Sequence, residues 1–248
     1  MPGERRGATR KPPGERRGVT RKPPGERRAE IDAAARELAL DQGLAAVTLR
    51  GVAARAGVTP ALVAHYRPNM DELVAETFRT IVATELREVA GMGEDGGAEG
   101  AGHAGAAGGA GAAGGAGVAG DAEDAGRAGA ADATGRLGSL VHTLLDGSRD
   151  DVTLVWVEAW ALGRRNETLA AAVRQEMDAW HAVLHDLIAS GVATGEFAVD
   201  DPGAAAWQLL GMIDGLNAQA LVRWGESRGV LLSRALEGML GLARGALG

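Results

Sequence analysis

The chain has 248 residues, 46% of them hydrophobic but only eight aromatic, with a net charge of −7 and no cysteine. Disulfides, thiolate zinc sites and cysteine nucleophiles are thereby excluded, and the core must come mostly from Leu, Val and Ala, a balance suited to closely packed helices. No apolar run reaches the length of a membrane span, and no apolar stretch follows the basic N-terminus as a secretory signal requires, so a soluble, cytoplasmic protein is expected.

Residues 1–28 repeat with a period of eleven: Pro2–Pro12 recurs as Pro13–Pro23 and begins again at Pro24. Nothing in the repeat is apolar enough to bury, and Pro-Pro-Gly interrupts each junction, which predicts a disordered basic arm. The arm holds ten Lys/Arg against three Glu, leaving the remaining 220 residues with 16 basic and 30 acidic groups. Positive charge is thus concentrated at one end of an acidic body. A duplicated leader without a role is the other reading of these residues.

The next segment, residues 29–90, reads as a small helical domain. A first helix spans Glu30–Asp41 and closes at Gly43. Thr48 and Thr59 stand where two short helices begin, as N-caps whose hydroxyls accept an orphan backbone N–H. Leu49, Val52 and Ala53, then Val58, Leu62 and Val63, recur at helical spacing. Between them, Ala56-Gly57-Val58 supplies a small residue, a glycine tolerant of positive φ and an apolar anchor. This composition predicts a helix-turn-helix whose second helix enters a DNA major groove.

The run from about Arg28 to Phe78 resembles the N-terminal domain of the TetR family of transcriptional regulators. The carrying residues are the first helix with Gly43, Val47-Thr48-Leu49, Val52-Ala53, Ala56-Gly57-Val58-Thr59, His65-Tyr66, and Pro68-Asn69-x-Asp71-x-Leu73. Two positions depart from the family pattern: Arg67 replaces an aromatic residue, and Met70 replaces a lysine that commonly meets a phosphate. The expected DNA contacts are Thr48, Arg50, Thr59, Tyr66, Arg67 and Asn69 on the backbone, with Pro60, Ala61, Leu62, Ala64 and His65 facing base edges. These are mostly apolar, so readout would rest on thymine methyls and DNA shape.

Residues 91–135 contain 17 Gly and 16 Ala, too little apolar surface to offset the entropy of ordering, which predicts a flexible tether. Two G-x-G-x-x-G matches, Gly109–Gly114 and Gly115–Gly120, follow no strand and arise from composition.

From residue 136 to 248 the helical period returns. Helices are expected from Arg136 to near Gly147, then at Val152–Leu162, Glu167–Ser190, Pro202–Trp224 (opened by Asp201-Pro202) and Leu231–Leu247. The order Trp156, Trp160, Arg174, Trp180, Gly195-Glu196-Phe197, Asp201, Asp214-Gly215-Leu216 resembles the ligand-binding domain of TetR members related to choline-to-betaine repressors. Trp156, Trp160, Met177, Trp180, His181, Met212 and Asn217 are the candidate ligand-binding residues, for a cation or an apolar molecule. Packing in the core or a dimer is the plainer role for each tryptophan. His181 and His185 lie four apart, but no third ligand accompanies them and no metal is expected.

The expectation is therefore an all-α protein with an N-terminal three-helix helix-turn-helix domain and a C-terminal ligand-binding and dimerisation domain. It would bind a double-stranded, pseudo-palindromic operator as a homodimer and repress transcription until a small-molecule effector binds. No cofactor and no catalytic residue are expected. A helical adaptor or enzyme-like protein on the same fold that has lost DNA binding is the alternative.

Overall fold

The computed structural model describes residues 22–95, 132–225 and 227–247, and it is helical throughout, without strands among those residues. The basic repeats up to residue 21 and the glycine matches within residues 96–131 lie outside them. No helix among the described residues is long and apolar enough to cross a membrane.

Helix α1 spans Pro24–Gln42, six residues longer at its start than the sequence suggests. Proline stops a helix from within but suits its first position, where φ is already set and no N–H is needed. Residues 24–28 of the expected arm are therefore helical, and Arg27 pairs with Glu30 at 2.7 Å. Ile31, Ala34, Ala35, Leu38 and Ala39 form its buried stripe. A 3₁₀ turn at Leu44–Ala46 follows.

Helices α2 (Leu49–Arg55) and α3 (Pro60–Tyr66) form the helix-turn-helix. Thr48 Oγ1 accepts from the Gly51 N–H at 3.1 Å, and Thr59 Oγ1 accepts from the Leu62 N–H at 3.2 Å. Gly57 takes the left-handed conformation, φ +65°, in the turn between them, which costs glycine little. Val52, Ala53 and Val63 are buried where α2 and α3 pack on each other and on α1.

Helix α4 runs unbroken over Met70–Asp95, five residues into the expected tether. Asn69 Oδ1 caps it, accepting from the Asp71 and Glu72 N–H groups at 3.1 and 3.3 Å. Its apolar stripe of Leu73, Ala75, Phe78, Ile81, Val82 and Val89 is buried, with α7 and α1 as the helices it packs against most.

The C-terminal part comprises α5 (Ala133–Leu145), α6 (Asp150–Gly163), α7 (Glu167–Thr194), α8 (Pro202–Leu221) and α9 (Arg228–Leu240). Asp132, Asn166 and Asp201 cap α5, α7 and α8 through their side-chain oxygens. Helix α7 outruns its expected end at Ser190. Gly191 lets Phe197 close over the last turn, where a Cβ would meet the ring at 2.2 Å. Helix α9 starts three residues before the expected Leu231 and stops at Gly241, φ +70°. The remaining tail folds back: Glu237 Oε1 accepts from the Gly245 N–H at 2.8 Å, and Leu247 is buried beside it.

Candidate DNA interface and effector site

The outer face of the helix-turn-helix exposes Thr48, Arg50, Thr59, Pro60, Ala61, Ala64 and His65. Leu62 is half-buried. Tyr66 packs partly on the core, with its ring edge-on to His65 at 5.1 Å. The free surface of α3 is therefore small and apolar around one imidazole. Asn69 is exposed, but its carbonyl oxygen is occupied in capping α4.

Arg67 requires a correction. It is buried, 8% exposed, and does not face solvent where a phosphate would lie. Its Nε donates to Asp32 Oδ1 at 2.7 Å, Nη2 bonds Asp32 Oδ2, and Nη1 meets Glu76 at 2.6 Å. The guanidinium fills the place of the family's aromatic residue, and carboxylates from α1 and α4 supply its partners. Removing it strands two partly buried carboxylates. Arg67→Ala should lower stability by about 2–3 kcal/mol, read from denaturant unfolding, and leave the salt dependence of DNA binding unchanged. Arg50→Ala should instead flatten the slope of log K against log[salt] by about 0.9. The reverse pattern would return Arg67 to the DNA.

The second site is a cavity among α4, α5, α6, α7 and α8. Its wall contains Trp156 and Trp160 from α6, Met177 and Trp180 from α7, and Asp214 and Asn217 from α8, with Glu85 reaching in from α4. Leu144, Thr153, Val157, Leu210 and Ile213 complete it. The Trp156 and Trp160 rings lie 5.9 Å apart and tilted, and Phe78 meets Trp156 edge-on at 4.9 Å. Room for a water-sized sphere is about 50 Å³, enough for a few waters. A larger occupant must push the walls apart.

Two carboxylates in such surroundings hold their protons tightly. Burial pushes the Glu85 carboxyl up to about 7, despite hydrogen bonding with Trp156 and the nearby Arg149 charge. Burial likewise pushes Asp214 up to about 6. The ring N–H groups of Trp160 and Trp180 are buried with no partner among the described residues. Buried donors left unpaired are uncommon and costly, on the order of 1–3 kcal/mol each.

Five of the seven candidate ligand residues thus line one cavity, and two do not. His181 lies outside it, with Nε2 3.1 Å from the Gly203 carbonyl and its ring edge-on to Trp207. Met212 is turned away because the cavity side of α8 is Leu210, Ile213, Asp214 and Asn217, and residue 212 sits a helical step of about 100° from its neighbours. Asn217 lines the wall, but its amide is already engaged: Nδ2 donates to the Leu144 carbonyl at 3.1 Å and Oδ1 accepts from Arg228 at 2.9 Å. Glu85 and Asp214 are the cavity carboxylates, and both lie outside the expected set. Their sequence signal is a carboxylate on an apolar stripe, Glu85 one turn beyond Ile81 and Val82, and Asp214 between Ile213 and Asn217.

Residues 31–77 match the family model described as bacterial regulatory proteins, tetR family, and residues 133–241 match the BetI-type transcriptional repressor C-terminal model. The chain belongs to the TetR family. Like the family, this regulator binds DNA to control transcription. A TetR-family transcriptional regulator from Rhodococcus sp. shares the fold at TM-score 0.62 and 19% identity, covering 87% of this chain and 99% of that one. A transcriptional regulator from Saccharomonospora viridis, solved in complex with choline, superposes at TM-score 0.61 and 21% identity over 88% and 96% of the two chains. The multidrug binding protein EbrR, solved with proflavin, does so at 0.56 and 19% over 86% and 99%. No curated protein matches this TetR regulator in sequence.

Proposed function

We propose that this TetR-family protein is a non-enzymatic, cytoplasmic repressor that binds a pseudo-palindromic operator as a homodimer and releases it when an organic cation enters the α4–α8 cavity. The observation that carries this reading is the cavity's chemistry: three tryptophans and two carboxylates enclose one space. An aromatic face attracts a cation through its quadrupole, more strongly when water is excluded, and the carboxylates supply the counter-charge. The two unpartnered indole N–H groups favour a ligand that also carries an oxygen acceptor. Choline in one structural relative and proflavin in another point the same way.

Thr48, Arg50, Thr59, Tyr66 and Asn69 are proposed to hold phosphates, and Pro60, Ala61, Leu62, Ala64 and His65 to meet the bases. In the dimer, two copies of α3 would enter successive major grooves about 34–36 Å apart. The dimer face is proposed at α8 and α9, where Trp207, Val222, Trp224, Val230 and Leu231 stay exposed. Large apolar side chains clustered on a surface mark a contact site.

A thermal-shift series with choline, tetraethylammonium and proflavin against their uncharged counterparts tests the effector class. The cations should raise the melting temperature and weaken retardation of DNA from around the protein's own gene. Equal shifts from neutral compounds would overturn the cation reading, and stabilisation without any change in DNA binding would overturn the switch.

A further inference from the structure

We infer that Glu158 is the positioning residue that couples the effector cavity to the DNA-binding helices, through its carboxylate bond to the 3₁₀ turn before α2. The inference rests on the proposed effector cavity for its input but on separate geometry for its path.

Helix α6 carries Trp156 and Trp160 in the cavity wall. Glu158 lies between them in sequence and, two residues from each, is turned toward a different side of the helix. Its Oε2 accepts from the Ala45 backbone N–H at 2.7 Å, although the two residues are 113 positions apart. Ala45 belongs to the turn Leu44–Ala46, which leads within two residues to Thr48, the cap of α2. One short helix segment thus has the cavity at one side and the entrance to the helix-turn-helix at the other.

The turn is shaped to receive this carboxylate. Gly43 has φ +88°, and a Cβ there would lie 2.6 Å from Glu158 Oε2, so a side chain at this position would push the carboxylate off the turn. The Ala45 N–H is one of the first donors of its turn, with no partner inside it, and a charged acceptor makes the stronger kind of hydrogen bond. The other polar ties from α6, α7 and their capping residues into residues 29–90, Asn166 Nδ2 to Asp71 Oδ1 at 3.1 Å, Arg149 to Glu88 at 3.3 Å and Trp156 with Glu85, all end on α4 rather than on the turn before α2.

Widening the cavity displaces Trp156 and Trp160, and α6 moves with them as a unit. Glu158 then either drags the turn, and with it Thr48 and α2, or breaks its bond to Ala45. Both outcomes change the placement of α2 and α3 when the cavity fills. The reciprocal must also hold: DNA that fixes α2 and α3 steadies α6.

The test compares wild type with Glu158→Ala, Glu158→Asp and Glu158→Gln in the full chain. Gln keeps an acceptor at the same reach, whereas Asp withdraws it by one methylene. The probes are choline or tetraethylammonium, and a duplex selected from random sequence by the wild-type protein. Wild type and Glu158→Gln should lose duplex affinity about tenfold on cation binding, within the usual range of such couplings. Bound duplex should also slow amide exchange in peptides covering residues 154–162. Glu158→Ala and Glu158→Asp should bind cation as wild type does and duplex within about threefold, a range set by a single lost hydrogen bond. In those two variants the cation effect should shrink below about threefold, and the protection of 154–162 by DNA should vanish. Should both variants keep the full cation effect and the protection, or lose cation affinity itself, Glu158 is not the coupling residue. If no cation shifts the wild-type melting temperature, the effector reading fails, and DNA-induced protection of α6, present in wild type and absent in Glu158→Ala, still decides the coupling.

Discussion

Cation affinity of the α4–α8 cavity should fall on the order of a hundredfold between pH 7.5 and pH 5.5. Burial holds the empty-site carboxyls of Glu85 and Asp214 at about 7 and about 6. A bound cation favours the ionised form of each, so binding expels protons. The sign follows: affinity rises with pH until it passes the empty-site value of Glu85, then levels. Full expulsion from Glu85 contributes roughly 25-fold over this window and from Asp214 roughly fourfold, by the linkage of about tenfold per proton and pH unit. Glu85→Gln should remove the larger part and leave the fourfold rise. The same group predicts a stability trend of the opposite slope. Because its folded value is raised, Glu85 favours the folded state below about pH 4.5, and this is progressively lost until about pH 7. Glu85→Gln should therefore raise unfolding free energy at pH 8, with an upper limit on the order of 3 kcal/mol for a shift of this size. Calorimetric titration in buffers of differing ionisation enthalpy counts the released protons. An affinity flat from pH 5.5 to 7.5 would remove both carboxylates from the site.

The second large effect concerns the apolar surface of α8 and the segment after it. Trp207 is 61% exposed and Trp224 68%, far more than a monomer leaves to water without reason. Substituting Trp207→Glu places one charge per protomer on the proposed two-fold face. Losing one buried aromatic costs about 1.5–3 kcal/mol, twice per dimer, so the dimer dissociation constant should rise about 10²–10⁴-fold. Operator affinity should fall with it, because each monomer retains one half-site, and specific binding would approach the non-specific level, about 10³-fold weaker or more. Sedimentation of wild type and variant as equal-sized species, with unchanged operator binding, would place the interface elsewhere.

What the sequence made legible was chiefly local. Thr48, Thr59 and Asp201 announce their helix starts because a capping hydroxyl or carboxylate acts within three residues, and each caps as read. Pro24 is ambiguous in sequence because the same residue breaks one helix and opens another, depending only on which side the helix lies. From sequence, Arg67 reads as a phosphate partner or a solvated cation because it directly follows the recognition helix. Its partners, Asp32 and Glu76, stand 35 and nine residues away, and no spacing rule joins them. The cavity shows the same division. Trp156, Trp160, Met177 and Trp180 lie on two helices whose apolar stripes can be read, whereas Met212 and His181 depend on a helix rotation that only packing decides. Glu158 is the extreme case, an ordinary-looking carboxylate whose partner is a backbone N–H 113 residues distant.

The uninterrupted course of α4 has a mechanical consequence. Met70 and Glu85 are separated by fifteen residues of one helix, about 22 Å at 1.5 Å per residue. An α-helix of this length is stiff, so a disturbance at Glu85 arrives at Met70 as angular motion rather than being absorbed on the way. A tilt of about 5° about the Glu85 end moves the other end by about 2 Å over that length. In a symmetric pair the two displacements add, to about 4 Å against a groove repeat of about 34–36 Å. In the proposed operator-bound dimer, a ligand only a few atoms across would thereby move the two copies of α3 out of step with the grooves.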